Sequence, residues 1–271
     1  MDETRKGPGF ILVIGAAWLL MLFLVLPIFV VIPVSFSPER FLSMPQGELS
    51  LRHYRELVDD PTWGRSIRDS FVVALAASGI AIVLGTACAI GCWRLATRFT
   101  ESVRVFMLTP MIVPPIVHAL GMHRVWVELG LIDTLAGLIL AHAMKGMPFV
   151  VISVSAVLAN FDLRLEQAAR SLGASPLTAV RLTILPNIWP GVLAGGVFAF
   201  AISWDEIVVA LFLTQRGVYT LPRRIWDGIQ DNISPTVAAI GVILVLATIL
   251  AVLLKLLWDR WLASRGAAES L

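Results

Sequence analysis

The chain has 271 residues, of which 58% are hydrophobic and 15% are charged, and its formal net charge is +2. Soluble domains are about one half apolar and one quarter charged, so this composition, with its apolar residues in long runs, excludes an ordinary soluble domain and indicates an integral membrane protein. The small net charge identifies no partner, and we expect no nucleic acid to bind.

Six apolar runs predict an all-α protein with six transmembrane helices, because about 20 apolar residues cross the hydrocarbon core of a bilayer. They cover residues 10–34, 70–93, 105–127, 134–158, 188–213 and 235–258. The first run is too long for a signal-peptide core and lacks a small-residue cleavage pattern, so we expect it to be retained. We expect residues 70–258 to form the transmembrane domain, with the first span outside it.

An even number of spans places the two ends of the chain, residues 1–9 and 259–271, on the same side of the membrane. That side carries slightly more Lys and Arg than the other, which favours a cytoplasmic location for both termini.

The segment between the first two spans, residues 35–69, is polar and is expected on the outer side. Within it, Leu49 to Val58 predicts a helix with one apolar face. That face consists of Leu51, Tyr54 and Val58. A short helix of this kind lies on the membrane surface, and His53 within it is expected to be solvated.

Prolines and one buried charge disturb the third and fourth spans. The third contains Pro110, Pro114 and Pro115, so we expect it to be kinked or broken. The fourth is expected to be interrupted between Lys145 and Pro148. The fifth span carries small residues at GxxxG-type spacing, Gly191, Gly195 and Gly196, which favour close helix packing.

The stretch between the fourth and fifth spans, residues 160–187, predicts two short helices joined by a turn. Its first helix has Leu165, Ala168, Ala169 and Leu172 on one face at helical spacing. Gly173 is expected to end that helix in a left-handed cap. Ser175 and Pro176 predict the start of the second helix, and Pro186 is expected to turn the chain into the fifth span.

This stretch resembles the EAA loop of permease subunits of binding-protein-dependent ABC importers. The resembling residues are Gln167-Ala168-Ala169, Gly173 and Leu185-Pro186. Gln167 occupies the place of the motif's glutamate, and Glu166, one position earlier, could substitute for it. The resemblance implies that Glu166, Gln167, Ala168, Ala169, Gly173 and Pro186 form the loop that couples the permease to an ATPase.

An acidic pair in the fifth span, Asp205 and Glu206, is the clearest candidate for a substrate pathway. Ionisable groups inside a span cost roughly 2.5–3.5 kcal/mol. Adjacent helical residues point about 100° apart, so the two carboxylates cannot both face one pore. We favour Asp205 facing inward, because Ser203 and Trp204 offer a hydroxyl and an aromatic face for a cation. An equal alternative is a structural pair that bonds to a neighbouring helix.

Basic and histidine side chains in the third and fourth spans are further candidates. Lys145, near His142, could neutralise Asp205 or Glu206 from across the bundle, or its side chain could instead extend along its own helix toward water. His118 and His123 lack metal-ligand neighbours and are expected to be satisfied interior or interfacial histidines. We therefore predict no metal site, no catalytic residue and no cofactor on this chain.

Residues 203–239 refine the resemblance to the second-permease type of the spermidine/putrescine importers. The resembling features are the acidic pair after Ser203, the Thr220-Leu221-Pro222 sequence and the turn at Ile233-Ser234-Pro235. The family implies a bacterial inner-membrane assembly of two permease subunits, two ABC ATPase subunits that bind ATP and Mg²⁺, and a periplasmic solute-binding protein. It implies a polyamine or similar organic cation as cargo.

Two other functions are open to a chain of this kind. An ion-coupled secondary carrier could use Asp205 or Glu206 as its protonation site, but such carriers usually have more spans and an internal inverted repeat. An intramembrane enzyme is disfavoured because no nucleophile or metal set is present.

Overall fold

The computed structural model describes residues 8–231 and 234–268, and every regular element in these ranges is helical, as predicted. The elements are α1 (Pro8–Ser35), α2 (Arg52–Asp59), α3 (Pro61–Leu95), α4 (Arg98–Ile112), α5 (Pro115–Glu128), α6 (Leu135–Leu158), α7 (Leu163–Ser171), α8 (Pro176–Ala179), a π-helical turn (Val180–Ile184), α9 (Leu185–Trp204), α10 (Val208–Leu213), α11 (Leu221–Asp231) and α12 (Pro235–Ala268). Ile233 of the predicted turn and the two extreme ends of the chain lie outside the described residues.

The number of membrane-spanning helices agrees with the sequence. Among the described residues, five helices are long and apolar enough to cross a membrane, and α4 with α5 adds a sixth if the bent pair is one span. The helix of the second span is longer than the predicted apolar run, however. α3 begins at Pro61 rather than near residue 70, because a proline is tolerated in the first helical turn and Trp63 and Ser66 are already buried.

The third span is broken, as predicted. α4 and α5 meet at an angle of 107°. Each proline disfavours the helical conformation of the residue before it. Val113, before Pro114, has ψ 128°, and Pro114, before Pro115, has ψ 138°, so two consecutive residues are extended.

The predicted interruption of the fourth span is wrong, because α6 is one continuous helix from Leu135 to Leu158. α6 packs closely against α9 on both sides of Pro148. A Cβ on Gly146 would lie 3.0 Å from the Cβ of Ala199, and one on Gly195 would lie 2.7 Å from the Cα of Val150. Glycines on both helices therefore permit the close approach that the GxxxG spacing predicted.

We expect Gly195→Ala to destabilise the protein, because the new methyl group would meet the backbone of α6 and cannot be relieved by a side-chain rotation. Overpacking of this kind costs about 1–3 kcal/mol. The matched control is Gly79→Ala on α3, where a Cβ meets nothing within 4 Å. Thermal unfolding of the purified protein in detergent should show a lower melting temperature for the first variant only. Equal melting temperatures would contradict the close packing of α6 on α9.

The fifth span differs from prediction at both ends. The chain is helical without a turn from Pro176 to Trp204, so Pro186 does not redirect it. The π-helical turn accommodates this proline by shifting the hydrogen bonds one residue further, with the Leu185 N–H donating to the Val180 carbonyl. The span then ends at Trp204, and three non-helical residues separate it from α10.

The described chain divides into two compact units, one of which is formed by residues 62–226. Its core has two apolar clusters. One, around Trp126, Leu138 and Val209, joins α5, α6 and α10. The other, around Val154 and Ile188, joins α3, α6 and α9.

The second unit contains residues 8–61 and the described residues after 226, with α1 and α2 packed against α12. The predicted transmembrane domain of residues 70–258 stays a prediction. His53 of α2 is buried rather than solvated, because its ring nitrogens lie 3.1 Å from the Thr236 hydroxyl and 3.0 Å from the Glu39 carbonyl.

Candidate functional site

Four polar side chains from two packed helices and the break that follows the second form a buried group, which we call the α6–α9 polar cluster. Its members are His142, Lys145, Ser203 and Glu206. His142 and Lys145 lie one turn apart on α6 and share a face. The His142 Nδ1 lies 2.8 Å from the Ser203 hydroxyl, and the Lys145 ammonium donates to a Glu206 carboxylate oxygen. Lys145 therefore reaches an acidic residue across the bundle, rather than extending along its own helix.

Glu206 also determines the shape of the fifth span. One carboxylate oxygen pairs with Lys145, and the other accepts a hydrogen bond of 3.0 Å from the Val209 N–H in the first turn of α10. Its residue is only 8% exposed. Glu206 thus stabilises the start of a new helix immediately after the break, a position that the sequence had assigned to a continuous span.

Asp205 has a different environment from its neighbour. Its residue is exposed, and the carboxylate forms no ion pair with the described residues. It lines a pocket of about 270 Å³ together with Pro110, Pro115, Lys145, Phe149 and Glu206, among others. Trp204 stacks on Phe200 at 6.0 Å between ring centroids. The structure therefore places Asp205 on an open pocket and Glu206 inside the protein.

A second, apolar pocket of about 230 Å³ shares Pro110 of α4 with the pocket that Asp205 lines. It is lined by Phe106, Met107, Thr109, Pro110, Val113, His118, Met144 and Met147. The prediction that both histidines of the third span are satisfied was correct for His123, whose Nδ1 lies 2.7 Å from the Phe212 carbonyl. It was wrong for His118, whose buried Nδ1 bonds to no group in the described chain.

The predicted coupling loop has the local structure that its residues favour. Asp162 caps α7 by accepting from the Arg164 N–H at 2.9 Å. Gly173 has φ +91°, the left-handed cap that was predicted. The Ser175 hydroxyl accepts from the Thr178 N–H at 3.2 Å and starts α8.

Glu166 of α7 contacts the C-terminal end of α3. It is buried and forms an ion pair with Arg94, a residue in the last turn of that helix. Trp93 and Phe161 pack edge to face beside it, 5.6 Å between centroids. Gln167, at the motif's glutamate position, is exposed. Arg94 was not among the residues predicted to belong to this loop, although cations are favoured in the last turn of a helix.

The described residues contain no group of three or more His, Cys, Asp or Glu side chains placed to hold a metal ion.

On the predicted outer side, Asp133 holds the loop that follows α10. Its carboxylate accepts from the backbone N–H of Gln215 at 2.7 Å, of Arg216 at 3.1 Å and of Gly217 at 2.9 Å. Desolvation alone raises the pKa of Asp133, but the backbone donors, which include Val218, outweigh it and leave the pKa below its ordinary value.

A carboxyl group with a lowered folded-state pKa stabilises its loop above its unfolded pKa, near 4, and loses that effect as the pH falls through the lowered value. We therefore expect Asp133→Asn to accelerate amide hydrogen exchange at residues 215–218 at neutral pH. The wild type should reach the same local exposure only in more acidic solution than an ordinary aspartate requires. Glu128→Gln, which alters a solvent-exposed carboxylate, is the control. Equal exchange in both variants would contradict this role.

Comparison with known proteins gives the family. The family described as "Binding-protein-dependent transport system inner membrane component" matches residues 81–265. The chain is 31% identical over 238 residues to the spermidine/putrescine transport system permease protein PotC of Escherichia coli K12, covering 88% of this chain and 90% of that protein. It is 27% identical to the putrescine transport system permease protein PotI of the same organism, covering 82% and 81%. It is 29% identical to the molybdenum transport system permease protein ModB of Mycobacterium bovis, covering 79% and 88%.

Solved structures support the fold. A bacterial ABC transporter involved in the import of the acidic polysaccharide alginate matches with a TM-score of 0.67 and 16% identity, over 96% of this chain and 99% of that one. The MetNI methionine ABC transporter, in inward-facing conformations, matches with a TM-score of 0.58 and 19% identity, over 72% and 92%. These relatives are transport components rather than enzymes. The chain is a multi-pass inner-membrane protein of the binding-protein-dependent transport system family, the permease subunit of an ABC importer.

Proposed function

We propose that this permease subunit forms half of a translocation pathway for a small organic cation of the polyamine type, delivered by a periplasmic binding protein. The observation that carries the proposal is Asp205, an exposed carboxylate at the break in the fifth span that has no ion-pair partner among the described residues. A carboxylate on a pocket at membrane depth attracts an ammonium group. The names of two relatives, spermidine/putrescine and putrescine permeases, agree with this cargo, whereas a third is named for molybdenum.

The residues of the proposed pathway have different tasks. Asp205 contacts the cation, and its neighbour Trp204 is stacked on Phe200. Ser203, Lys145 and Glu206 hold the break in shape through the α6–α9 polar cluster. The bilayer surrounds this bundle, and a second permease subunit completes the pathway on its open side.

We further propose that residues 160–187 lie on the cytoplasmic side and contact one of two ABC ATPase subunits, which bind ATP and Mg²⁺. Leu172 and Leu177, on either side of Gly173, are 90% and 77% exposed. Apolar side chains so exposed at a turn suit a cleft on a partner. Gln167 and Ala168 are exposed too, whereas Ala169 is half-buried.

The link from this loop to the membrane runs through two routes. Glu166 ties α7 to α3 by its ion pair with Arg94, and the helix continues through Pro186 into α9 without a turn. A displacement of the loop is therefore transmitted to two spans at once. In this orientation both termini are cytoplasmic, and residues 35–69, which include the first turns of α3, are periplasmic.

The test is uptake of radiolabelled spermidine by the complete transporter in proteoliposomes. We expect Asp205→Asn to reduce uptake at low cargo concentration by roughly tenfold to a hundredfold, since hydrogen bonds to charged groups contribute about 1.5–3 kcal/mol. Asp205→Glu keeps the charge and should retain more activity. Unchanged uptake by Asp205→Asn would remove this residue from the pathway.

Uptake should also require ATP and proceed without an ion gradient. Uptake driven by a gradient alone would instead favour the ion-coupled carrier, an alternative that membership in a binding-protein-dependent family already argues against.

A further inference from the structure

The pocket that Asp205 lines also contains both members of the neighbouring ion pair. Asp205, Lys145 and Glu206 all line this single cavity of about 270 Å³. The other lining residues are uncharged, namely Pro110, Met111, Val113, Pro115, Phe149 and Ile202. One ammonium group therefore accompanies two carboxylates, so the lining of the pocket carries one net negative charge.

The three charged groups differ in how far they are already engaged. The side chains of Lys145 and Glu206 are 12% and 8% exposed and bind each other, and Glu206 also accepts from the Val209 N–H. Asp205 is exposed, and its carboxylate forms no ion pair with the described residues. The ion pair thus leaves the Asp205 carboxylate open to a ligand.

The apolar walls make this charge balance important. Charges in an apolar cavity interact much more strongly than charges in water. A cation that reaches Asp205 is attracted by two carboxylates and repelled by the Lys145 ammonium group in the same small space. A single positive charge neutralises the pocket, whereas a divalent ion leaves an excess of positive charge beside Lys145.

Without Lys145, the same pocket would have the donors that a divalent metal ion prefers. Ca²⁺ binds carboxylate oxygens and water, and its affinity depends on the number of charged ligands. Discrimination between ligands often needs a group that repels the wrong one as well as groups that attract the right one. Lys145 has the position and the charge for this repulsive role.

We propose that Lys145 is a specificity-determining residue of the importer, which limits the Asp205 pocket to one positive charge; this rests on the proposed function. The pocket then accepts a single ammonium group of the cargo and excludes divalent metal ions. Lys145 stays bound to Glu206 while the cargo ammonium group lies at Asp205.

The experiment measures thermal unfolding of the complete transporter in detergent, with and without calcium chloride and in the absence of ATP. Lys145→Met leaves two uncompensated carboxylates in the pocket, so calcium should raise its melting temperature. We expect a rise of roughly 5–10 °C at calcium about a hundredfold above its dissociation constant. The wild type should show no rise. Lys145→Arg and Lys145→Met/Glu206→Gln, which each keep one net negative charge, should behave as the wild type.

A second variant changes the charge of the pocket without breaking the ion pair. Met111 lines the same pocket and is 46% exposed. Met111→Glu adds a carboxylate, so we expect calcium to raise its melting temperature as well. The matched control, Met111→Gln, has the same size without the charge and should not respond to calcium.

Uptake of radiolabelled spermidine in proteoliposomes provides a functional readout. Calcium added on the side of the binding protein should inhibit uptake by Lys145→Met and Met111→Glu, because the metal ion competes with the ammonium group at Asp205. Uptake by the wild type should be the same with and without calcium.

The outcomes separate the two proposals. If the wild type transports spermidine and both assembled variants unfold independently of calcium, the role of Lys145 is overturned and the cargo class stands. A calcium-dependent rise in the wild type equal to that of the variants would overturn it too. If the wild type transports no organic cation, the cargo class fails and the selectivity role fails with it. If Lys145→Met does not assemble, Met111→Glu decides.

Discussion

Reversing the charge of either Arg94 or Glu166 is expected to abolish most of the uptake, and reversing both is expected to restore it. The two side chains are 25% and 10% exposed, so either reversal leaves two like charges in a mostly buried contact. Breaking a buried pair costs about 3–5 kcal/mol, which corresponds to more than a hundredfold in the population of the attached loop, at about 1.4 kcal/mol per tenfold. The double variant Arg94→Glu/Glu166→Arg rebuilds the pair with opposite polarity.

The measurement is uptake and ATP hydrolysis by the reconstituted transporter. Both single variants should hydrolyse ATP without matching uptake, because the ATPase could still engage the exposed face of α7 while the link to α3 is lost. Arg98→Glu, an exposed residue at the start of α4, is the control and should behave as the wild type. Should the double variant transport no better than the single ones, the pair would not be the connection between the loop and the bundle.

Removing Lys145 should destabilise the protein more than removing both members of its pair. Lys145→Met leaves the Glu206 carboxylate buried and unpaired, at a cost of about 3–5 kcal/mol. In Lys145→Met/Glu206→Gln no charge remains, and the glutamine oxygen can still accept from the Val209 N–H. We expect the double variant to recover a large part of the loss, so the two substitutions should not be additive.

Thermal unfolding in detergent of the two single variants and the double variant gives the coupling energy directly. The control pair is Arg68 with Asp69, whose side chains are 75% and 18% exposed. Arg68→Met should change the free energy of unfolding by about 1 kcal/mol or less, because an exposed pair contributes little. Additive effects of Lys145→Met and Glu206→Gln would show that the ion pair is not what stabilises the break in the fifth span.

The candidate site was predictable as a set of residues but not as an arrangement. An acidic pair inside a span and a lysine in the span before it are visible in any reading of the sequence. Which carboxylate the lysine meets depends on the break at residues 205–207, where Glu206 accepts a hydrogen bond from the Val209 N–H. Lys145 and Glu206 are 61 positions apart, so no local pattern could assign the partner.

By itself, the sequence determined the features that depend on neighbouring residues, namely the apolar runs, the proline breaks and the helix ends. Long apolar runs predicted six spans, consecutive prolines predicted the break in the third one, and Gly173 and Ser175 predicted the end of one helix and the start of the next. Steric and capping effects act within a few residues, so they can be recognised from neighbours alone.

Only the tertiary structure decided the features that depend on distant partners. α6 is continuous through Pro148 where it packs closely against α9. The buried His53 has the Thr236 hydroxyl and the Glu39 carbonyl within hydrogen-bond distance. The same is true of His118, because tertiary packing buries its Nδ1 without a hydrogen-bond partner in the described chain. A buried polar group in a membrane protein needs a partner within the protein, because lipid offers none. Which residue becomes that partner depends on the three-dimensional fold, and neighbouring residues in the sequence do not reveal it.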